Sequence, residues 1–134
     1  MNLYYMIWVD GIKRMQSVPS NYGQWKLQSM MYMSIAMALN IGMILSIIQL
    51  HILGYVFYDI KLHVFSLEKL NSALSFFLMY MAAPLVLNYF LIYRKNRYQI
   101  LLEKYKYYDG KLALSYLFGT LLLSSIYVFL NANR

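Results

Sequence analysis

The chain has 134 residues, of which 61% are hydrophobic and 13% charged, where a soluble domain carries roughly 25% charged residues. It has no cysteine, which excludes disulfides, thiolate chemistry and cysteine-ligated metals. The formal net charge of +7 is concentrated in one stretch, so its position carries more information than its size.

Residues 2–17 place Leu3, Tyr4, Ile7, Trp8, Ile12 and Met15 near helical spacing, with Asp10, Lys13, Arg14 and Gln16 among them. The run is too short to span, and it predicts an amphipathic helix lying in the membrane interface. Its apolar part precedes its basic part, the reverse of a signal peptide. Pro19, Ser20 and Asn21 break the helix, and Ser20 or Asn21 offers a cap for the next one. Tyr22, Trp25 and Lys26 suit the headgroup belt.

The first predicted span covers 27–50. Ser34, Ala38, Gly42 and Ser46 recur at steps of four, which puts them on one face where another helix can come close. That helix belongs either to the same chain or to a second subunit, with Ala38 and Gly42 at the centre of the contact. Asn40 lies nearly opposite and needs a polar partner or water. Residues 51–66 read as an external loop, whose His51 and His63 match no metal-site spacing. Ser66 is a candidate N-cap for the second span, 70–93. Pro84 breaks that span and leaves the Tyr80 carbonyl without its donor, predicting a kink and a hinge. Asn88 is its main polar residue.

The stretch 94–111 holds six of the twelve Lys/Arg residues against two acids. Tyr98, Leu101, Leu102, Tyr105 and Tyr108 follow helical spacing, so the second span is expected to continue as a basic helical extension up to Asp109-Gly110. On a continuous helix Arg94, Arg97 and Lys104 share one side. With Lys95 and Lys106 they form a candidate anion site, since phosphates need Arg or Lys and bases stack on Tyr. The plainer reading of the same residues is an anchor on anionic lipid. The third span, 112–130, carries no charge and has Ser115, Gly119, Thr120 and Ser124 along it.

Nine Lys/Arg lie in the N-terminal segment and second loop, and three in the first loop and tail. The bias predicts a cytoplasmic N-terminus and a periplasmic C-terminus. No acid or base lies within a span, which argues against a proton-coupled transporter. No nucleophile–base pair, phosphate loop or zinc pattern is present, so neither an enzyme nor a cofactor is expected. The neutral polar residues Ser34, Asn40, Ser46, Asn88 and Thr120 either line a lumen built from several copies or bond between helices.

Small size, uncharged spans and the basic Tyr93–Lys111 segment together resemble the multi-span membrane effectors of bacterial anti-phage systems that work beside a nucleotidyltransferase. The resemblance is one of architecture and carries over no site residue. It implies an oligomer that permeabilises the inner membrane when a cytosolic partner signals. The expectation is therefore an all-α membrane protein with three spans, acting as a homo-oligomeric inner-membrane channel or pore effector. Its gate would respond from the cytoplasm to a nucleotide, an oligonucleotide or a lipid headgroup. The alternative is a non-conducting accessory or scaffold subunit of a larger membrane complex.

Overall fold

The computed structural model describes residues 2–21 and 23–133, so Tyr22 and Arg134, used above for the interface belt and the charge count, lie outside the described residues. Among the described residues every regular element is helical. Helix α1 is Leu3–Ser17. Helix α2, Trp25–Ile47, runs on through a π-helical turn, Ile48–Leu53. The second long element is a composite of α3 (Glu68–Phe76), a π turn (Phe77–Met81), α4 (Ala82–Asn88) and a second π turn (Tyr89–Tyr93). A short 3-10 turn, Arg94–Asn96, leads to α5, Arg97–Lys104, and the chain ends on α6, Lys111–Ala132. Three of these stretches, Trp25–Leu53, Glu68–Lys104 and Lys111–Ala132, are long and apolar enough to cross a membrane.

The buried core sits at the basic end of the bundle. Trp8 and Ile12 of α1 meet Met33 of α2, Ile92 of the second span and Tyr98 of α5. Five consecutive residues, Trp8 to Ile12, are buried, so the middle of α1 is enclosed on every side. A helix lying flat in the interface with Asp10 on its wet face does not describe this placement. Gly11 lies close against α6, where a Cβ would just touch the Ala113 Cβ at 3.4 Å.

The expected straight basic extension is also corrected. Lys95 and Asn96 both have φ of 55°, in the left-handed region, and end the helix of the second span. Asparagine tolerates that conformation and lysine does so at a cost of about 1 kcal/mol. The turn folds α5 back so that Tyr98 is buried and Leu101 and Leu102 pack against the core, instead of lying along an exposed rod. Arg94 therefore precedes the turn and does not share a helix face with Arg97 and Lys104. Helix α5 stops at Lys104, with Tyr105 extended, so Asp109-Gly110 ends a loop and not a helix.

A π turn stands where Pro84 interrupts the second span. The N–H of Ala82 bonds to the Phe77 carbonyl five residues back, a π turn placed just before the proline. The Tyr58 hydroxyl donates to the Met79 carbonyl at 3.1 Å in the same turn, where the proline offers the ladder no N–H. The loop carrying Tyr58 is laced onto α3. Leu62 N–H reaches Ser75 Oγ at 3.0 Å, and Val64 and Phe65 N–H reach Asn71 Oδ1 at 3.0 and 2.8 Å. Asn71 thus orders the approach to α3, whose N-cap position is Leu67 rather than Ser66. Helix α2 likewise begins later than a cap at Ser20 or Asn21 would place it.

Candidate functional site

The strongest polar feature is one that spacing does not reveal. Asp10, fully buried, accepts four backbone N–H bonds from the segment that opens α6. Its Oδ1 takes Tyr108 N–H at 2.7 Å and Gly110 N–H at 3.0 Å. Its Oδ2 takes Leu112 N–H at 2.8 Å and Ala113 N–H at 3.2 Å. The first N–H groups of a helix have no partner within it, and they carry the positive end of its dipole. Helix α6 has no side-chain cap of its own, because Gly110 stands at its N-cap position. A carboxylate from a helix about 100 residues earlier supplies the cap. Gly110 has φ of 75°, and a Cβ there would stand 2.8 Å from Arg14 Cγ, so the turn requires glycine twice over. Arg14 pairs with Asp109 at 3.7 Å beside it.

Around this cap lies the basic end. Arg94, Lys95, Arg97, Lys104 and Lys106 are all exposed. The two ion pairs among the described residues, Arg14–Asp109 and Lys61–Asp59, leave these five out. Arg94 lies over the Phe90 ring at 5.1 Å, Lys104 over Tyr105 at 5.7 Å and Lys106 over Tyr108 at 5.7 Å. Lys26 stacks on Tyr98 at 4.9 Å, which ties α2 to α5. The candidate anion residues divide: Lys104 and Lys106 line one open groove of about 770 Å³ with Asn2, Leu3, Met6, Tyr105 and Tyr108, and Arg94, Lys95 and Arg97 lie outside it.

Inside the bundle the polar residues meet one another. Asn88 Nδ2 donates to Ser34 Oγ at 3.0 Å, while its Oδ1 accepts from the Tyr4 hydroxyl at 2.7 Å. Burial pushes the Tyr4 hydroxyl up to about 12, which keeps it a neutral donor. Asn40 Nδ2 reaches the Tyr116 hydroxyl at 3.0 Å and Thr120 Oγ1 at 3.2 Å. Ser29 and Tyr93 share a short hydroxyl–hydroxyl bond. Thus Ser34, Asn40, Asn88 and Thr120 each join two helices of one chain. Ser46 lies half-buried beside a groove of about 240 Å³ with Gly42, Tyr80 and Tyr127.

The small-residue ladder faces the chain's own second span. Ser34 and Ala38 are buried, and a Cβ on Gly42 would meet the Tyr80 ring at 3.9 Å. Pro84 is buried within the same packing. The sequence reading missed Asp10, Gly11, Tyr4 and Gly110. The signals available were an acid next to glycine in an apolar helix, and a third span with glycine, not an acid or hydroxyl, at the residue just before it. Among the described residues no group of three or more His, Asp or Glu side chains comes together.

Fold and composition define a multi-pass α-helical protein with three membrane-length helices and a basic end. Comparison with protein-family models, with curated proteins and with solved structures finds no match.

Proposed function

We propose that the chain is a non-conducting membrane subunit that holds a basic platform at the cytoplasmic face of the bacterial inner membrane, on which an anionic cytosolic partner or ligand docks. One observation carries this reading: four of the five polar side chains singled out in the spans, Ser34, Asn40, Asn88 and Thr120, bond to each other or to a tyrosine within a single chain. A wet lumen needs polar walls. Here Asn40 and Thr120, and Asn88 and Ser34, are turned to one another, while the outward surfaces carry Ile44, Val86, Phe118, Leu122 and Phe129. A ring of such subunits would present hydrocarbon at its centre. The nine-to-three bias of Lys/Arg supports the orientation, with the basic end on the cytoplasmic side.

The test is ion flux through purified protein reconstituted in phosphatidylethanolamine–phosphatidylglycerol vesicles. Flux should equal that of empty vesicles, with or without a nucleotide or a short single-stranded oligonucleotide at the basic end. Flux above that background would overturn the reading. It would put the homo-oligomeric, ligand-gated pore, with its resemblance to anti-phage effectors, in its place.

A further inference from the structure

We propose that the groove between the start of α1 and residues 104–108 is a binding site for one anionic phospholipid, its phosphate held by Lys104 and Lys106. This rests on the orientation offered above, with the basic end toward the anionic leaflet, and not on the absence of conduction.

Three observations choose a lipid over a soluble phosphate. First, the groove's charged lining is of one sign: among the described residues Lys104 and Lys106 contribute, no carboxylate does, and neither lysine is in an ion pair. Each lies over a tyrosine ring at 5.7 Å, a contact that leaves its charge in place. Second, the other end of the groove is apolar. Leu3 is 61% exposed, and Met6 lies one turn further along the same helix. Third, the depth is right. Tyr4, next to Leu3, bonds to Asn88, and Asn88 stands five residues inside the basic end of the second span. Leu3 thus neighbours a residue tied into the second span, while Lys104 and Lys106 follow that span's basic end in the chain. Cations at headgroup depth above apolar side chains match a phospholipid, phosphate above and acyl chain below. Asn2 adds a neutral donor, since its Oδ1 is used in capping α1 by accepting the Tyr4 N–H at 3.1 Å and its amide nitrogen remains. Arg94, Lys95 and Arg97 lie outside this groove.

The experiment uses the full chain, delipidated in detergent and supplied with defined lipids, with bound lipid counted by native mass spectrometry. The parent should retain one phosphatidylglycerol in preference to phosphatidylcholine. Lys104→Gln/Lys106→Gln should lose roughly 30-fold in that preference, as expected for two lysines near an anionic headgroup. Lys104→Arg/Lys106→Arg should keep it, which separates charge from fold. Arg94→Gln/Arg97→Gln should also keep it. Inorganic phosphate and glycerol 3-phosphate at millimolar concentration should leave the lipid in place. Equal retention by the Gln variant and the parent would overturn the site. Displacement by either soluble phosphate would overturn the lipid assignment in favour of a soluble ligand. Retention by lipid in detergent is blind to flux and to orientation, so these outcomes are independent of the vesicle test.

Discussion

Asp10→Ala is the most demanding perturbation of this fold. It removes the acceptor of four N–H groups at the start of α6. The bonds to Gly110 and Ala113 are buried, and those donors would have no water to turn to. An unsatisfied buried donor costs about 1–3 kcal/mol, so the two together cost on the order of 2–6 kcal/mol. The donors of Tyr108 and Leu112 are partly open and recover some of their loss in water. Loss of a negative charge at the helix N-terminus adds up to about 2 kcal/mol. We expect a net destabilisation of about 4 kcal/mol, with Asp10→Asn intermediate, because its remaining oxygen serves only part of the donor set. Hydrogen exchange in detergent or lipid reads the effect at its source. The Gly110 and Ala113 amides should exchange on the order of 100-fold or more faster, since each 1.4 kcal/mol is tenfold. Lys13→Ala, on the same helix and partly exposed, should stay within about 0.5 kcal/mol of the parent. Unchanged exchange at Gly110 and Ala113 in Asp10→Ala would refute the capping argument and return α1 to a loosely attached interfacial helix.

Gly110→Ala should destabilise by about 2 kcal/mol, because it forces a Cβ into the left-handed region and against the root of the Arg14 side chain; a thermal melt followed by the fluorescence of buried Trp8 measures it. Asn88→Ala strands the Tyr4 and Ser34 hydroxyls and should cost about 1 kcal/mol in the same melt, since two bonds are lost and hydrogen bonds between membrane helices average about 0.6 kcal/mol each. Gly42→Ala should leave both the melt and the mass of the purified particle unchanged within error, since the added methyl meets only the Tyr80 ring at 3.9 Å; a change in subunit number would assign that face to a second copy.

The spans are legible in the sequence because an uncharged apolar run of membrane length has few other homes. Their partners are less legible. The step of four from Ser34 to Ser46 identifies a helix face but is silent about which helix covers it, and here the second span of the same chain does so. Pro84 announces a break, but not that the turn before it is π-helical or that Tyr58, from the loop preceding α3, bonds to the Met79 carbonyl there. Asp10 is the instructive miss. One-dimensional spacing assigns a lone carboxylate three residues before Lys13-Arg14 to water, and nothing local says that four orphan amides lie 98 to 103 residues further on. The turn at Lys95 and Asn96 was equally hidden, since neither is glycine or proline and only the asparagine hints at a left-handed residue.

These two misses change the route by which a contact at the basic end can reach the membrane. A straight extension would have carried a push from Lys104 along the second span to Pro84. The left-handed pair at Lys95 and Asn96 interrupts that rod. The loop holding Lys106 is instead tied to α1: Tyr105 lies against Tyr5 with ring centres 6.3 Å apart, and the Tyr108 and Gly110 amides share Asp10 Oδ1. Moving the loop therefore means moving α1 or uncapping α6. Helix α1 is in turn joined to the second span through Tyr4 and Asn88, and Asn88 to the first span through Ser34. The acid at position 10 and the amide at position 88 are the two polar points through which all three spans are held to one short helix. A partner seated on the lysines therefore meets the spans along two routes, through α1 and its polar ties, and through α5, whose Tyr98 packs with Met33 and Ile92.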